Sequence, residues 1–139
     1  MSWLLFAIVS ALAAACTAIL AKVGVEGVPS NLATAIRTVV ILAFAWGIVG
    51  VRGEYHALGA ISRRSLTFLM LSGLATGISW LAYFRALQLA PASRVSPIDK
   101  LSLPFTILLA ATVLGEAVGW RLMLGVALMT IGAILTITR

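Results

Sequence analysis

Long apolar blocks separated by short polar stretches make up this chain of 139 residues. Each block is continuous rather than alternating, and each approaches the ~20 residues that cross a hydrocarbon core of ~30 Å. Because backbone groups in lipid must bond within their own segment, continuous blocks predict helices and exclude barrel strands. Five membrane-spanning helices are predicted in one domain that covers residues 1–139, over residues 3–21, 31–51, 66–89, 97–114 and 120–137.

The polar stretches supply the expected helix boundaries. "VGVEGVPS" predicts a turn, after which Ser30 or Asn31 is the expected cap of the second helix. "RGEYHALGAISRRS" is the longest polar stretch and predicts a loop, whereas Pro91 stops the third helix.

Composition indicates an all-α integral membrane protein. Hydrophobic residues make up 62% of the chain and charged residues 10%, which is too little charge to solvate a globular surface. The net charge of +6 is attributed to Lys and Arg at helix ends, so no nucleic-acid partner is expected. With one cysteine and one histidine, no disulfide, metal or cofactor is expected. No nucleophile–base pair or phosphate loop is visible, so an enzyme is not expected.

The distribution of basic residues gives almost no orientation preference. Five spans place the termini on opposite sides, here named side A (amino terminus) and side B. Side A holds four basic residues and side B three, namely Arg52, Arg63, Arg64 and Arg121 against Lys22, Arg94 and Arg139. This bias is too small to fix which side is cytoplasmic.

Charged residues within the apolar blocks are predicted to gather in the side B half of the membrane. At 1.5 Å rise per residue, Arg37 lies ~10 Å and Arg85 ~7.5 Å below that surface. Asp99 and Lys100 lie at the same level, so a polar vestibule on side B is expected. Arg37 then attracts an anionic group or holds Asp99, whereas Arg85 extends its side chain to the interface.

Asp99 has two compatible interpretations. In "SPID", Ser96 is the expected cap, Pro97 the first helical residue and Asp99 an acid in the first turn. Alternatively, Asp99 and Lys100 organise the vestibule. Pro104 removes the hydrogen bond to the Lys100 carbonyl, which predicts a bend just past the charged pair and a candidate substrate site.

The fourth and third helices each present a face suited to a solute. Along the fourth, polar groups occupy three of four positions on one face, formed by Ser96, Asp99, Leu103 and Thr106. In the third, "WLAYFRAL" places Trp80, Phe84 and Leu87 on one face with Tyr83 beside it. Such an aromatic wall suits an organic solute or a cation. Phe84 is interpreted as a lipid-facing residue of the interfacial belt, while both readings stay open for Trp80 and Tyr83.

Several motifs follow one another from the third helix onwards. They are the aromatic-rich third helix, "ALQLAPAS", the "PIDKLS" helix start, a proline-bearing helix followed by "LGE", and a last helix ending "GVALMTIGAIL". In this order they resemble the EamA domain of the drug/metabolite transporter superfamily. The resemblance covers essentially the whole chain and is most specific from Trp80 to Glu116.

The resemblance implies one EamA repeat of five helices. Full-length members look like two such repeats in inverted orientation, so an antiparallel homodimer, or pairing with a second five-helix protein, is implied. The expected function is secondary transport, as an exporter, of small organic metabolites or drugs across a bacterial inner membrane by alternating access. The alternatives are a non-transporting subunit or half-carrier, and a flippase-like carrier of lipid-linked metabolites.

Overall fold

The computed structural model describes residues 3–137 and is built from helices over that range. The α-helices are α1 (Trp3–Gly24), α2 (Ser30–Arg52), α3 (Arg63–Leu89), α4 (Ala92–Asp99), α5 (Ser102–Val113) and α6 (Trp120–Leu135), with a 3₁₀ helix at Glu54–Ala60 between α2 and α3. Arg139, which contributed to the predicted charge of side B, lies outside the described residues.

Three of these helices, α1, α2 and α3, are long and apolar enough to cross a membrane, and α6 is a shorter apolar helix. Their large apolar side chains are mostly exposed, as at Leu12, Val39, Phe68 and Ile78. Water-soluble monomers rarely expose such continuous apolar surface, so these faces contact lipid. The chain is a multi-pass membrane protein.

The chain divides into two compact units. The α2–α3 unit comprises Leu20–Leu89, and the α4–α6 unit comprises Met1–Ile19 with Ala90–Arg139. The long helix α1 therefore contributes its first part to the α4–α6 unit and its last turn to the α2–α3 unit.

In the α2–α3 unit, proline and glycine set the bounds of α2. Pro29 has an extended conformation and occupies the N-cap position, without a side-chain cap bond, and its carbonyl accepts the Ala33 N–H at 3.0 Å. The expected cap at Ser30 or Asn31 is wrong, since Ser30 is already helical and is buried. At the other end Gly53 has φ 69°, a left-handed conformation that glycine adopts readily, and its N–H caps the carbonyls of α2.

In the α4–α6 unit, the fourth predicted span is two helices, α4 and α5, so residues 3–137 form six α-helices and the predicted count of five is not confirmed. Helix α4 begins at Ala92 and not near Pro97, because the Pro91 carbonyl accepts the N–H groups of Arg94 (3.0 Å) and Val95 (3.1 Å). Pro91 thus has the position predicted for Ser96, and Pro97 lies inside α4.

This shift moves Asp99 from the start of a helix to its end. Asp99 is the last residue of α4, so its interpretation as an acid in the first turn of a helix is wrong. Carboxylates are favourable at helix N-termini and unfavourable at C-termini. Helix capping therefore does not explain why the chain has an acid at this position.

Candidate functional site

The buried residues of the α2–α3 unit are concentrated at one end of its helices. They come from the end of α1 and the following turn, the start of α2 and the end of α3, and they are Ala21, Val25, Ser30, Thr34, Phe84 and Leu87. Leu87 has no exposed surface at all. This arrangement agrees with the predicted alternation of helix direction, which brings the side B ends of the first three helices together.

Reciprocal hydrogen bonds between side chains and backbone join these ends. The Lys22 ammonium donates to the Leu87 carbonyl at 2.5 Å, and the Gln88 amide donates to the carbonyls of Val28 at 2.6 Å and Val25 at 3.4 Å. The last carbonyls of a helix lack partners within the helix. Lys22 therefore satisfies the end of α3, while Gln88 holds the turn between α1 and α2 against it.

A cavity of about 420 Å³ lies beside these bonds. It is lined by Lys22, Val23, Val25, Glu26, Gly27 and Gln88. Its size is within the range of small-molecule sites. The residues predicted to contact a solute do not line this cavity, so it is a separate feature of the α2–α3 unit.

Arg37 of α2 lies against the aromatic face of α3. Its guanidinium carbon is 4.1 Å from the centre of the Trp80 ring and 5.3 Å from that of Phe84. The Tyr83 ring lies beside that of Phe84, with the ring centres 6.5 Å apart. A cation above a ring is attracted by the negative face of the π system, most strongly above Trp. The structure therefore brings together three of the predicted site residues, Arg37, Trp80 and Tyr83.

The charge of Arg37 has no partner of opposite sign within its own unit. Among residues 20–89, its contacts are those with the aromatic residues, and no acceptor takes a hydrogen bond from its N–H groups. The side chain is half-buried in a helix that is long and apolar enough to span the membrane. An ionisable group at such a place is costly, and in membrane proteins it usually marks a ligand or ion pathway.

Phe84 corrects one sequence-based interpretation. It is 3% exposed and contacts the guanidinium from within the packed end, so its assignment to a lipid-facing belt is wrong. The signal was present in the sequence, because Trp80, Phe84 and the fully buried Leu87 recur at helical spacing on one face. Gln88 was missed altogether, since an amide near a helix end gives no sign of which distant carbonyls it will meet.

Arg85 and the Asp99–Lys100 pair differ from Arg37 in their contacts and exposure. Arg85 is exposed and donates to the Gln88 side-chain oxygen at 3.1 Å. In the α4–α6 unit the Lys100 ammonium lies 3.3 Å from the Asp99 carboxylate, with side-chain exposures of 54% and 39%. They form an exposed ion pair, and the coupling in such pairs is typically below about 1 kcal/mol.

The helix is interrupted directly after this pair. Between α4 and α5, the N–H groups of Lys100, Leu101 and Leu103 donate to carbonyls three residues earlier, at 3.2, 2.9 and 3.0 Å. The last of these carbonyls belongs to Lys100, the group that Pro104 leaves without an α-helical donor. Pro104 itself lies in the first turn of α5, where a missing N–H costs little.

The remaining predicted residues flank this interruption. Ser96 is half-buried in α4. Thr106 is exposed in α5, and its hydroxyl donates to the Ser102 carbonyl at 2.9 Å. Arg37 and Asp99 belong to different units, so the shared vestibule stays a prediction.

Two comparisons with known proteins agree that the chain is similar to membrane transporters. The model of the EamA-like transporter family matches residues 1–138. A relative from Sinorhizobium sp., named "Uncharacterized transporter in cobO 3'region", is 49% identical over 134 residues, which cover 96% of this chain and 95% of the relative. No solved structure matches the chain significantly.

Proposed function

Because this chain belongs to the EamA-like transporter family, we propose that it is a secondary transporter that exports small organic metabolites or drugs across a bacterial inner membrane. Transport proceeds by alternating access. Trp80 and Tyr83 line the solute path, and Arg37 contributes its charge to it. In the α4–α6 unit, Asp99 and Lys100 organise the polar segment at the helix interruption, with Ser96 and Thr106 beside them.

One observation carries this proposal beyond family membership. Arg37 is a half-buried cation in an apolar spanning helix, and within residues 20–89 it contacts aromatic rings instead of an acid. A purely structural charge would be expected to have a partner that compensates its desolvation. A cation that is held by rings and has no acid partner, beside ring surface that is only half-buried, is suited to a passing solute.

The active form is proposed to be an antiparallel homodimer embedded in the lipid bilayer. Its support is the near balance of basic residues between the two sides, which favours insertion in both orientations. Exposed Ala57 provides a test, as Ala57→Cys in a Cys16→Ser background. With an impermeant maleimide added to right-side-out vesicles, about half of the copies should be labelled if orientation follows this charge balance. Labelling of all copies or of none would show a single orientation and overturn the antiparallel dimer.

Transport itself is tested with a mixture of solutes, so that no single compound has to be chosen in advance. The purified chain is reconstituted into vesicles of phosphatidylethanolamine and phosphatidylglycerol that contain a bacterial metabolite extract. Mass spectrometry then identifies solutes that leave these vesicles faster than they leave protein-free vesicles. Selective loss of particular solutes supports the proposal. If vesicles with correctly inserted protein retain every solute, transport by this chain alone is overturned, and a subunit that needs a second protein is favoured. If only lipid-linked solutes leave the vesicles, a flippase is favoured.

A further inference from the structure

Arg37 contacts aromatic rings through its guanidinium and has N–H groups that can donate hydrogen bonds. Trp80 and Phe84 contact the guanidinium at ring distances of 4.1 and 5.3 Å. Contact with a ring does not consume the N–H donors of a guanidinium, and their fork geometry matches two oxygens of one acid group. No acceptor among residues 20–89 takes a hydrogen bond from these donors, so they can pair with an acid group.

We infer that the solute carries a carboxylate, which pairs with the N–H edge of Arg37 while its apolar part lies along Trp80 and Tyr83. This assignment rests on the proposed transport function and adds the chemical class of the solute. Trp80 and Tyr83 are half-buried and keep surface for such a contact. Phe84 is 3% exposed, so it positions the guanidinium from behind and does not touch the solute.

The number of charges favours a carboxylate over a phosphate. Arg37 is the cation that lies against the Trp80 and Phe84 rings. Lys22 and Arg85 direct donors elsewhere, to the Leu87 carbonyl and the Gln88 side-chain oxygen. One positive charge neutralises one carboxylate. A phosphate monoester carries nearly two negative charges at neutral pH, and the second would stay uncompensated in an apolar setting.

The acid proposed from the sequence as the partner of Arg37 already has a neighbour. The Asp99 carboxylate lies 3.3 Å from the Lys100 ammonium within the α4–α6 unit. This pairing reduces the free charge on Asp99. Of the two roles predicted for Arg37, attraction of an anionic group is therefore the one that the contacts favour.

Binding is measured through the fluorescence of Trp80. Replacing Trp3, Trp46 and Trp120 by Phe leaves Trp80 as the sole tryptophan, and all three replaced residues are more than half exposed. The protein is placed in lipid nanodiscs and titrated at pH 7 with benzoate, its neutral isostere benzamide, and phenyl phosphate. Empty nanodiscs correct for partition of each probe into lipid.

Benzoate should change the Trp80 emission saturably and bind at least about tenfold more tightly than benzamide, the magnitude expected for hydrogen bonds between charged groups. Arg37→Gln should abolish that preference, and Arg37→Lys should restore part of it, because an ammonium keeps the charge and loses the fork. Arg85→Gln is the matched control. It removes a cation near the end of α3 that packs against Arg37 and should leave the preference for benzoate over benzamide intact.

The outcomes separate this inference from the transport proposal. Equal binding of benzoate and benzamide, or an unchanged preference in Arg37→Gln, would overturn the carboxylate site even if the vesicles export neutral solutes. Tighter binding of phenyl phosphate than of benzoate would overturn the single-charge assignment. Benzoate binding that depends on Arg37 supports the site independently, even where the vesicle experiment detects no export.

Discussion

Arg37 and the Asp99–Lys100 pair are two ways of keeping charge inside an apolar chain. Arg37 is a single cation held against aromatic rings, half-buried and without an acid in its own unit. Asp99 and Lys100 are neighbours of opposite sign, more exposed, at a point where the helix is interrupted. The first arrangement leaves several N–H donors for a ligand, whereas in the second each charge has a neighbour of opposite sign.

This difference assigns separate roles to the two regions. An aromatic cradle stabilises a cation without consuming its hydrogen-bond donors, which suits solute recognition. At the helix interruption beside Asp99 and Lys100, the backbone hydrogen bonds are altered. Such a place suits a bend in the helix. The sequence predicts one shared vestibule from charge and depth, and this stays a prediction because Arg37 and Asp99 belong to different units.

The largest expected effect comes from removing the cation of Arg37. Arg37→Met should lower carboxylate export at least about tenfold, because it removes the charged hydrogen bonds to the solute. Its thermal unfolding temperature should not fall, since the lost ring contact, about 0.5–2 kcal/mol, is offset by no longer burying a charge.

The matched change in the other region is Lys100→Met. It should lower export less than about threefold, since Asp99 stays exposed enough to be solvated. Initial export rates in vesicles and thermal unfolding in detergent measure both variants. An equal loss of export in Lys100→Met would remove the distinction between the two regions.

The next effect concerns the bonds by which Gln88 of α3 holds the turn between α1 and α2. Gln88→Leu removes the donor for the carbonyls of Val25 and Val28 and should cost about 1–3 kcal/mol of folding stability. Thermal unfolding in detergent measures the loss. Leu89→Ala is the control, because Leu89 is the next residue and is 71% exposed. Equal destabilisation by both changes would mean that the Gln88 bonds add nothing beyond side-chain volume.

A smaller effect is expected from the ring that supports Arg37. Trp80→Leu removes the π face nearest the guanidinium and should weaken carboxylate binding by about 0.5–2 kcal/mol, whereas Trp80→Phe should recover part of the loss. Because the fluorescent reporter is then absent, binding is followed by calorimetry with benzoate in nanodiscs. Equal affinity for Trp80→Leu and the unaltered protein would show that the ring neither positions Arg37 nor contacts the solute.

Helix bounds could be predicted where the chain is strongly patterned. The first three predicted helices lie within three residues of the structural bounds, because apolar runs end there at charged residues, proline or glycine. The start of α4 was misplaced because Ser96 and Pro97 imitate a helix start, while Pro91, already interpreted as the end of α3, is also the N-cap of α4. Pro91 therefore lies at the end of α3 and at the start of α4, and the local sequence pattern alone does not show this double role.

The sequence predicts which residues of α2 and α3 lie at a similar depth but not which side chains they contact. Helical spacing put Trp80, Phe84 and Leu87 on one face, and rise per residue put Arg37 at a similar depth. Which neighbour meets the guanidinium depends on how α2 rotates against α3, which follows from packing of both helices together. The same limit applies to Gln88, whose partners are 60 and 63 residues away in the chain.

The smallest expected effect tests whether Asp99 and Lys100, at the helix interruption, interact mainly with each other. Asp99→Asn leaves Lys100 unpaired and should impair export without preventing insertion, and Lys100→Gln should do the same more weakly. In the double variant the two losses should largely cancel, with a coupling of about 0.2–1 kcal/mol, the range for exposed ion pairs. Initial export rates of the four proteins give this coupling directly. A coupling several times larger would mean that the pair is desolvated when the protein works, and that this region, like Arg37, meets the solute.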